Sequence, residues 1–194
     1  MKIFQNKIFV WVLCISNMAW VACAPDKKEN TSEQETAKVK PAIEVSDNFQ
    51  SQVDNTVKAY LSLKDALVAS DTTQASAKAG ELLNALNQID STSLASEGIQ
   101  KWSGYKSALI RAAQTIQASQ KLEEQRLRFE DVSISMYAMV NDFGSQTTLY
   151  KQYCPMAFDD KGAFWLSAQS EIKNPYFGDA MLSCGEVQET LAFE

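Results

Sequence analysis

From Phe49 to Phe143 one signal dominates the chain: apolar residues recur at spacings of three, four and seven, the period of a helix with a single buried stripe. The first run carries Phe49, Val53, Val57, Tyr60, Leu61, Leu67 and Val68 behind Ser46. The second follows Asp71, with Gln74 three residues later as a capping box, and continues through Leu82, Leu83, Leu86 and Ile89. Gly80 sits inside it, at a cost of about 1 kcal/mol against alanine, and its missing side chain permits close packing. The third starts at Ser96 and runs through Ile99, Trp102, Tyr105 or Lys106, Leu109, Ala113 and Ile116. The fourth extends from about Leu122 through Phe129, Val132, Met136, Met139 and Val140 to Phe143, with Gly144 as its C-terminal cap. Four amphipathic helices on short loops can bury their stripes only against one another. The expected fold is mainly α, an antiparallel four-helix bundle over residues 46–144, with Met136 and Met139 as core filling.

After Gly144 the period changes, and residues 145–194 predict a small C-terminal β/loop appendage packed against the bundle. Leu149 to Ala157 and Gly162 to Ser167 suit short extended segments around the turn Asp159-Asp160-Lys161-Gly162, and Val187 to Phe193 suits a closing strand. The appendage has few aliphatic residues. Phe158, Phe164 and Phe177 are therefore expected at its seam with the bundle rather than on a docking face. Asp159, Asp160 and Glu171 could be a carboxylate site, but acids beside Lys161 and Gly162 fit a solvated turn better. Trp165, Asn174 and Tyr176 are expected to line a pocket, although Asn before Pro is first a turn signal.

The opening residues read as an export signal. Lys2 and Lys7 precede an apolar run that is too short and interrupted for a permanent span, so residues 1–22 are expected to be a signal peptide. Trp20-Val21-Ala22-Cys23 resembles a bacterial lipobox, which makes Cys23 the expected lipidation site and new N-terminus. Residues 23–45 are polar and lack aromatics, so they are expected to form a tether about 25 Å long between the lipid and a single domain over 46–194. The chain then belongs in the cell envelope, facing the periplasm or cell surface, held to the membrane through its lipid only.

The 18 basic and 24 acidic residues give a formal charge of −6, which argues against nucleic acid as a partner. Histidine is absent. That removes the commonest metal ligand, the usual general base and the Ser-His-Asp and Cys-His pairs, so no enzyme activity is expected. Cys154 and Cys184, the two cysteines beyond the export signal and lipobox, also lack the Cys-x-x-Cys spacing of redox catalysts.

Several short motifs in order carry a resemblance. They are Ala59-Tyr-Leu-Ser-Leu-Lys-Asp-Ala-Leu-Val-Ala-Ser-Asp71, Arg126 with Phe129, Cys154-Pro-Met-Ala157, Trp165-Leu-Ser167, Asn174-Pro-Tyr-Phe-Gly178 and Met181-Leu-Ser-Cys-Gly185. From about Asn55 to Val187 the chain resembles the bacterial domain of unknown function numbered 3347, which also occurs fused to periplasmic adaptors of copper and other heavy-metal efflux systems. The resemblance implies an association with copper handling and a possible partner in a heavy-metal efflux complex or another cell-envelope protein. It implies no activity.

The residues left for chemistry are sulfur. Cys154 with Met156, and Met181 with Cys184, are soft ligands that together could hold Cu(I) as a cofactor. Cys154 and Met156 share a face if that segment is extended, and Met181 and Cys184 share one if theirs is a helical turn. Alternatively, in an oxidising compartment Cys154 and Cys184 form a disulfide and the methionines are apolar filling. A third reading leaves both thiols buried and reduced. The relative positions of the four sulfurs decide between them.

Overall fold

A computed structural model describes residues 38–194. The expected signal peptide, Cys23 and the first part of the tether lie outside them. Among the described residues no helix is long and apolar enough to cross a membrane.

The four helices form where the periodicity puts them: α1 at Asp47–Val68, α2 at Thr72–Gln88, α3 at Ser96–Ala118 and α4 at Leu122–Phe143. Their ends follow local chemistry. The Ser46 hydroxyl accepts from the Phe49 N–H, and the Asp71 carboxylate accepts from the Gln74 N–H, each satisfying a donor that the first turn leaves free. Ser96 does not cap α3; it is the first helical residue, behind Ala95, which makes no side-chain cap. Gly144 ends α4 at φ +79° with its N–H on the Val140 carbonyl. A β-carbon on Gly80 would stand 2.8 Å from the side-chain amide of Gln117 on α3, the flexible end of a side chain that can move aside.

Helix α1 packs on α2, α2 on α3 and α3 on α4, the order of an antiparallel bundle, and α1 meets α4 more sparsely. The appendage lies against that last seam. It is a three-stranded antiparallel sheet of order β2-β1-β3, with β1 at Leu149–Cys154, β2 at Ala163–Ser167 and β3 at Glu186–Leu191. Strand β1 is shorter than expected because Pro155 has no N–H to continue the ladder after Cys154.

One core runs through both parts. Phe49 packs edge-on against Trp102 and Phe143, Tyr60 stacks on Phe129 at 5.2 Å, and Phe129 meets Tyr176, which in turn meets Trp165 and Phe158. Met136 and Met139 are fully buried, as core filling requires. The Tyr60 hydroxyl is the polar joint of this core. It accepts from the Leu166 N–H of β2 and shares a hydrogen bond with the Ser133 hydroxyl of α4, each at 2.9 Å.

The folded unit reaches further back than the expected boundary at residue 46. Val39 forms a parallel bridge with Phe193 and donates to the Ala192 carbonyl at 2.7 Å, and Ile43 donates to the Asp142 carbonyl at 2.8 Å. Ile43 and Val45 pack on the core. The sequence between 38 and 45 looks like tether because its few apolar residues are spaced for an extended strap, not for a helix.

Candidate functional site

The appendage folds back on itself through four fixed points. Strand β1 brings Cys154 to the end of the sheet opposite Ala163, and the chain returns thirty residues later with Cys184. The two are joined as a disulfide, their Cα atoms 5.8 Å apart, within the normal range for such a bond. Cys154 is fully buried and Cys184 partly so.

Asn174 is the second fixed point. Its side-chain carbonyl accepts from the Tyr176 N–H at 2.8 Å and, less closely, from that of Phe177. Its amide donates to the Cys184 carbonyl at 2.8 Å, and its backbone N–H to that of Leu182. Gln152, buried in β1, is the third, donating its amide to the carbonyls of Gln169, Ser170 and Glu171. Arg126 of α4 is the fourth. Its guanidinium donates to the Pro175 carbonyl at 2.9 Å, the Leu67 carbonyl at 3.2 Å and the Ser70 hydroxyl at 2.9 Å, which ties the loop to the end of α1. Burial pulls the Arg126 pKa below its ordinary value. Gly178 stands beside it at φ +57°, where a β-carbon would strike the Ser70 hydroxyl and the Arg126 guanidinium.

The residues expected to line a pocket, Trp165, Asn174 and Tyr176, lie in the interior. All three are buried, the Tyr176 hydroxyl donates to the Phe164 carbonyl, and Asn174 spends its amide on the loop. Burial pushes the Tyr176 hydroxyl well above its usual pKa, so it stays protonated. Phe158 and Phe177 are half-buried and packed on the core, and the half-buried Phe164 meets Tyr137 of α4 edge-on, as a seam requires. Glu171 pairs with Lys173, while Asp159 and Asp160 lie exposed in the turn.

The methionines sit differently from the sequence expectation. Met156 lies past the end of β1 with helical backbone angles, so strand alternation does not place it on the face of Cys154. It is 46% exposed. Met181 ends a short 3-10 turn, Gly178–Met181, and its carbonyl accepts from the Cys184 N–H at 3.0 Å, so these two residues do share one turn. Between Met156 and β2 the chain makes a strained turn in which Phe158, Asp159 and Asp160 have φ of 53°, 55° and 63°. Among the described residues no group of three or more Cys, Asp or Glu side chains is placed to hold a metal ion. Sequence reasoning found both cysteines but missed Gln152 and the central position of Tyr60. Both lie in ordinary strand or helix pattern, and only the tertiary fold gives them their partners.

Fold and site together define a class: a four-helix bundle that carries a disulfide-closed three-stranded sheet on its α1/α4 seam. Residues 56–148 match the family model described as Protein of unknown function (DUF3347), which supports that family for this segment. The match ends before β1, so the cysteine motifs that carry the resemblance further lie beyond it. No curated protein and no solved structure matches the chain.

Proposed function

We propose that the chain is a non-enzymatic binding module of the cell envelope, in which the bundle is a rigid support and the disulfide-closed appendage is the working part. The carrying observation is the Cys154–Cys184 bond, which uses both thiols of the described residues and fixes the appendage in one shape. Such a bond persists in an oxidising compartment, which fits export. The test is a maleimide label under denaturing conditions on protein from the cell envelope. Only reductant should expose thiols at Cys154 and Cys184, whereas labelling of either one beforehand contradicts the reading.

A second reading is favoured by the exposed Met156 and by Met181 lying on the same turn as Cys184. In the reduced protein these four sulfurs would form a soft site for Cu(I), consistent with a role beside a heavy-metal efflux complex. Titrating the reduced protein with Cu(I) against a competing chelator checks it. An affinity unchanged by Cys154→Ser would refute it.

A further inference from the structure

We propose that the disulfide end of the appendage is the docking face of this module, and that its partner is a protein surface presenting apolar side chains ringed by lysine and arginine. The proposal rests on the binding-module reading above and names the partner's chemistry.

The first observation is that three exposed large apolar side chains lie in the appendage, while Val39, Ile99, Leu127 and Ile134 are exposed singly on the strap and the helices. Met156 is 46% exposed, Leu182 38% and Val187 39%, and each is within three residues of a bonded cysteine. At no more than about 3.6 Å per residue, each lies within about 11 Å of the nearer bonded Cα. Met181, half-buried, adjoins Leu182. Single exposed apolar residues are ordinary, but their gathering at one end of a small appendage marks an interaction surface.

The second observation is the strained turn. Three successive non-glycine residues, Phe158, Asp159 and Asp160, sit in the left-handed region, each at a steric cost to its β-carbon. Burial does not explain that cost for Asp159 and Asp160, which are exposed. The turn holds Met156 and both carboxylates at this end of the molecule.

The third is charge. Asp159, Asp160, Asp179 and Glu186 are exposed, each within four residues along the chain of Met156, Leu182 or Val187, while Lys161 and Lys173 are already paired with Glu130 and Glu171. A rim of this sign repels anionic lipid and attracts a basic surface. Thioether side chains adapt to a partner's shape, and the four fixed points remove most of the ordering cost of binding.

The test uses oxidised protein carrying methyl-labelled methionine and an amphipathic lysine-leucine peptide as probe, with a glutamate-leucine peptide of the same pattern as charge control. The lysine peptide should shift the Met156 and Met181 methyl resonances and leave those of Met136 and Met139, which also report that the bundle is intact. Met156→Ser with Leu182→Ser should weaken binding at least about tenfold, whereas Ile99→Ser, on the helical bundle, should not. Binding that leaves Met156 and Met181 unshifted, or that only Ile99→Ser weakens, overturns this face while sparing the binding-module reading. Equal binding of both peptides, or none, overturns the partner chemistry. A free thiol at Cys154 or Cys184 in the same sample overturns the reading beneath it.

Discussion

Replacing Tyr60 with phenylalanine removes one oxygen from the joint between α1, α4 and β2 and keeps the ring that stacks on Phe129. The hydroxyl is fully buried and serves two buried partners, the Leu166 N–H and the Ser133 hydroxyl, each at 2.9 Å. Leaving a buried donor without a partner costs about 1–3 kcal/mol. Ser133 can rotate its hydroxyl toward the carbonyl four residues back in α4 and recover much of its share. Leu166 has no such choice, because its N–H is fixed by the strand. The expected loss is therefore about 2 kcal/mol, and about 3 kcal/mol if Ser133 stays unpaired. Ser133→Ala should cost less, about 1 kcal/mol, since Tyr60 still accepts from Leu166. Urea unfolding measures both as shifts in midpoint at unchanged slope. Hydrogen exchange at the Leu166 amide should accelerate in the Tyr60 variant. A loss under about 0.5 kcal/mol with Leu166 still protected would refute the joint.

Reducing the disulfide opens a loop spanning 30 residues and should lower stability by about 3–4 kcal/mol in the chain-entropy account, read as a lower urea midpoint with dithiothreitol. Gly178→Ala should destabilise by more than about 1 kcal/mol, because its φ is +57° and its β-carbon meets Arg126 and Ser70. Gly104→Ala, inside α3 with nothing within 4 Å, should stabilise by about 0.5–1 kcal/mol. The alkaline limb has a definite sign. Burial, and then the hydrogen bond to the Asp142 carboxylate, push the Tyr105 hydroxyl up to about 12, and burial raises Tyr60 and Tyr176 in the same direction. An unfolded tyrosine ionises near 10, so this stability is complete below about pH 10 and lost as pH rises toward 12. The urea midpoint should fall across that window and fall less in Tyr105→Phe; a flat or rising midpoint contradicts it.

The bundle was legible because its information is local. The spacing of Phe49, Val53 and Val57, the Asp71 cap and the Gly144 stop each act within a few residues, and the helices begin and end there. The appendage was legible only as punctuation. Gly162 and Asn174-Pro175 marked turns, but the contacts that hold the appendage, Tyr60 to Leu166 and Arg126 to Pro175, join residues 106 and 49 apart. No periodicity reports such pairs. The strap at 38–45 was missed for the same reason, since an extended segment of alternating polarity resembles a tether until its neighbours are known. The cysteines were found by type and number, yet residue type alone put a Cu(I) site ahead of a disulfide, and the geometry of the loop joined the two cysteines to each other.

The central claim is that the two limbs of the appendage are covalently joined in the protein as it occurs in the cell. Mass spectrometry of a digest made without reductant, on protein taken directly from the cells that make it, tests it most directly. The account predicts one linked fragment containing both Cys154 and Cys184 that separates into two when reduced. Recovery of the two as separate fragments with unmodified thiols would contradict it.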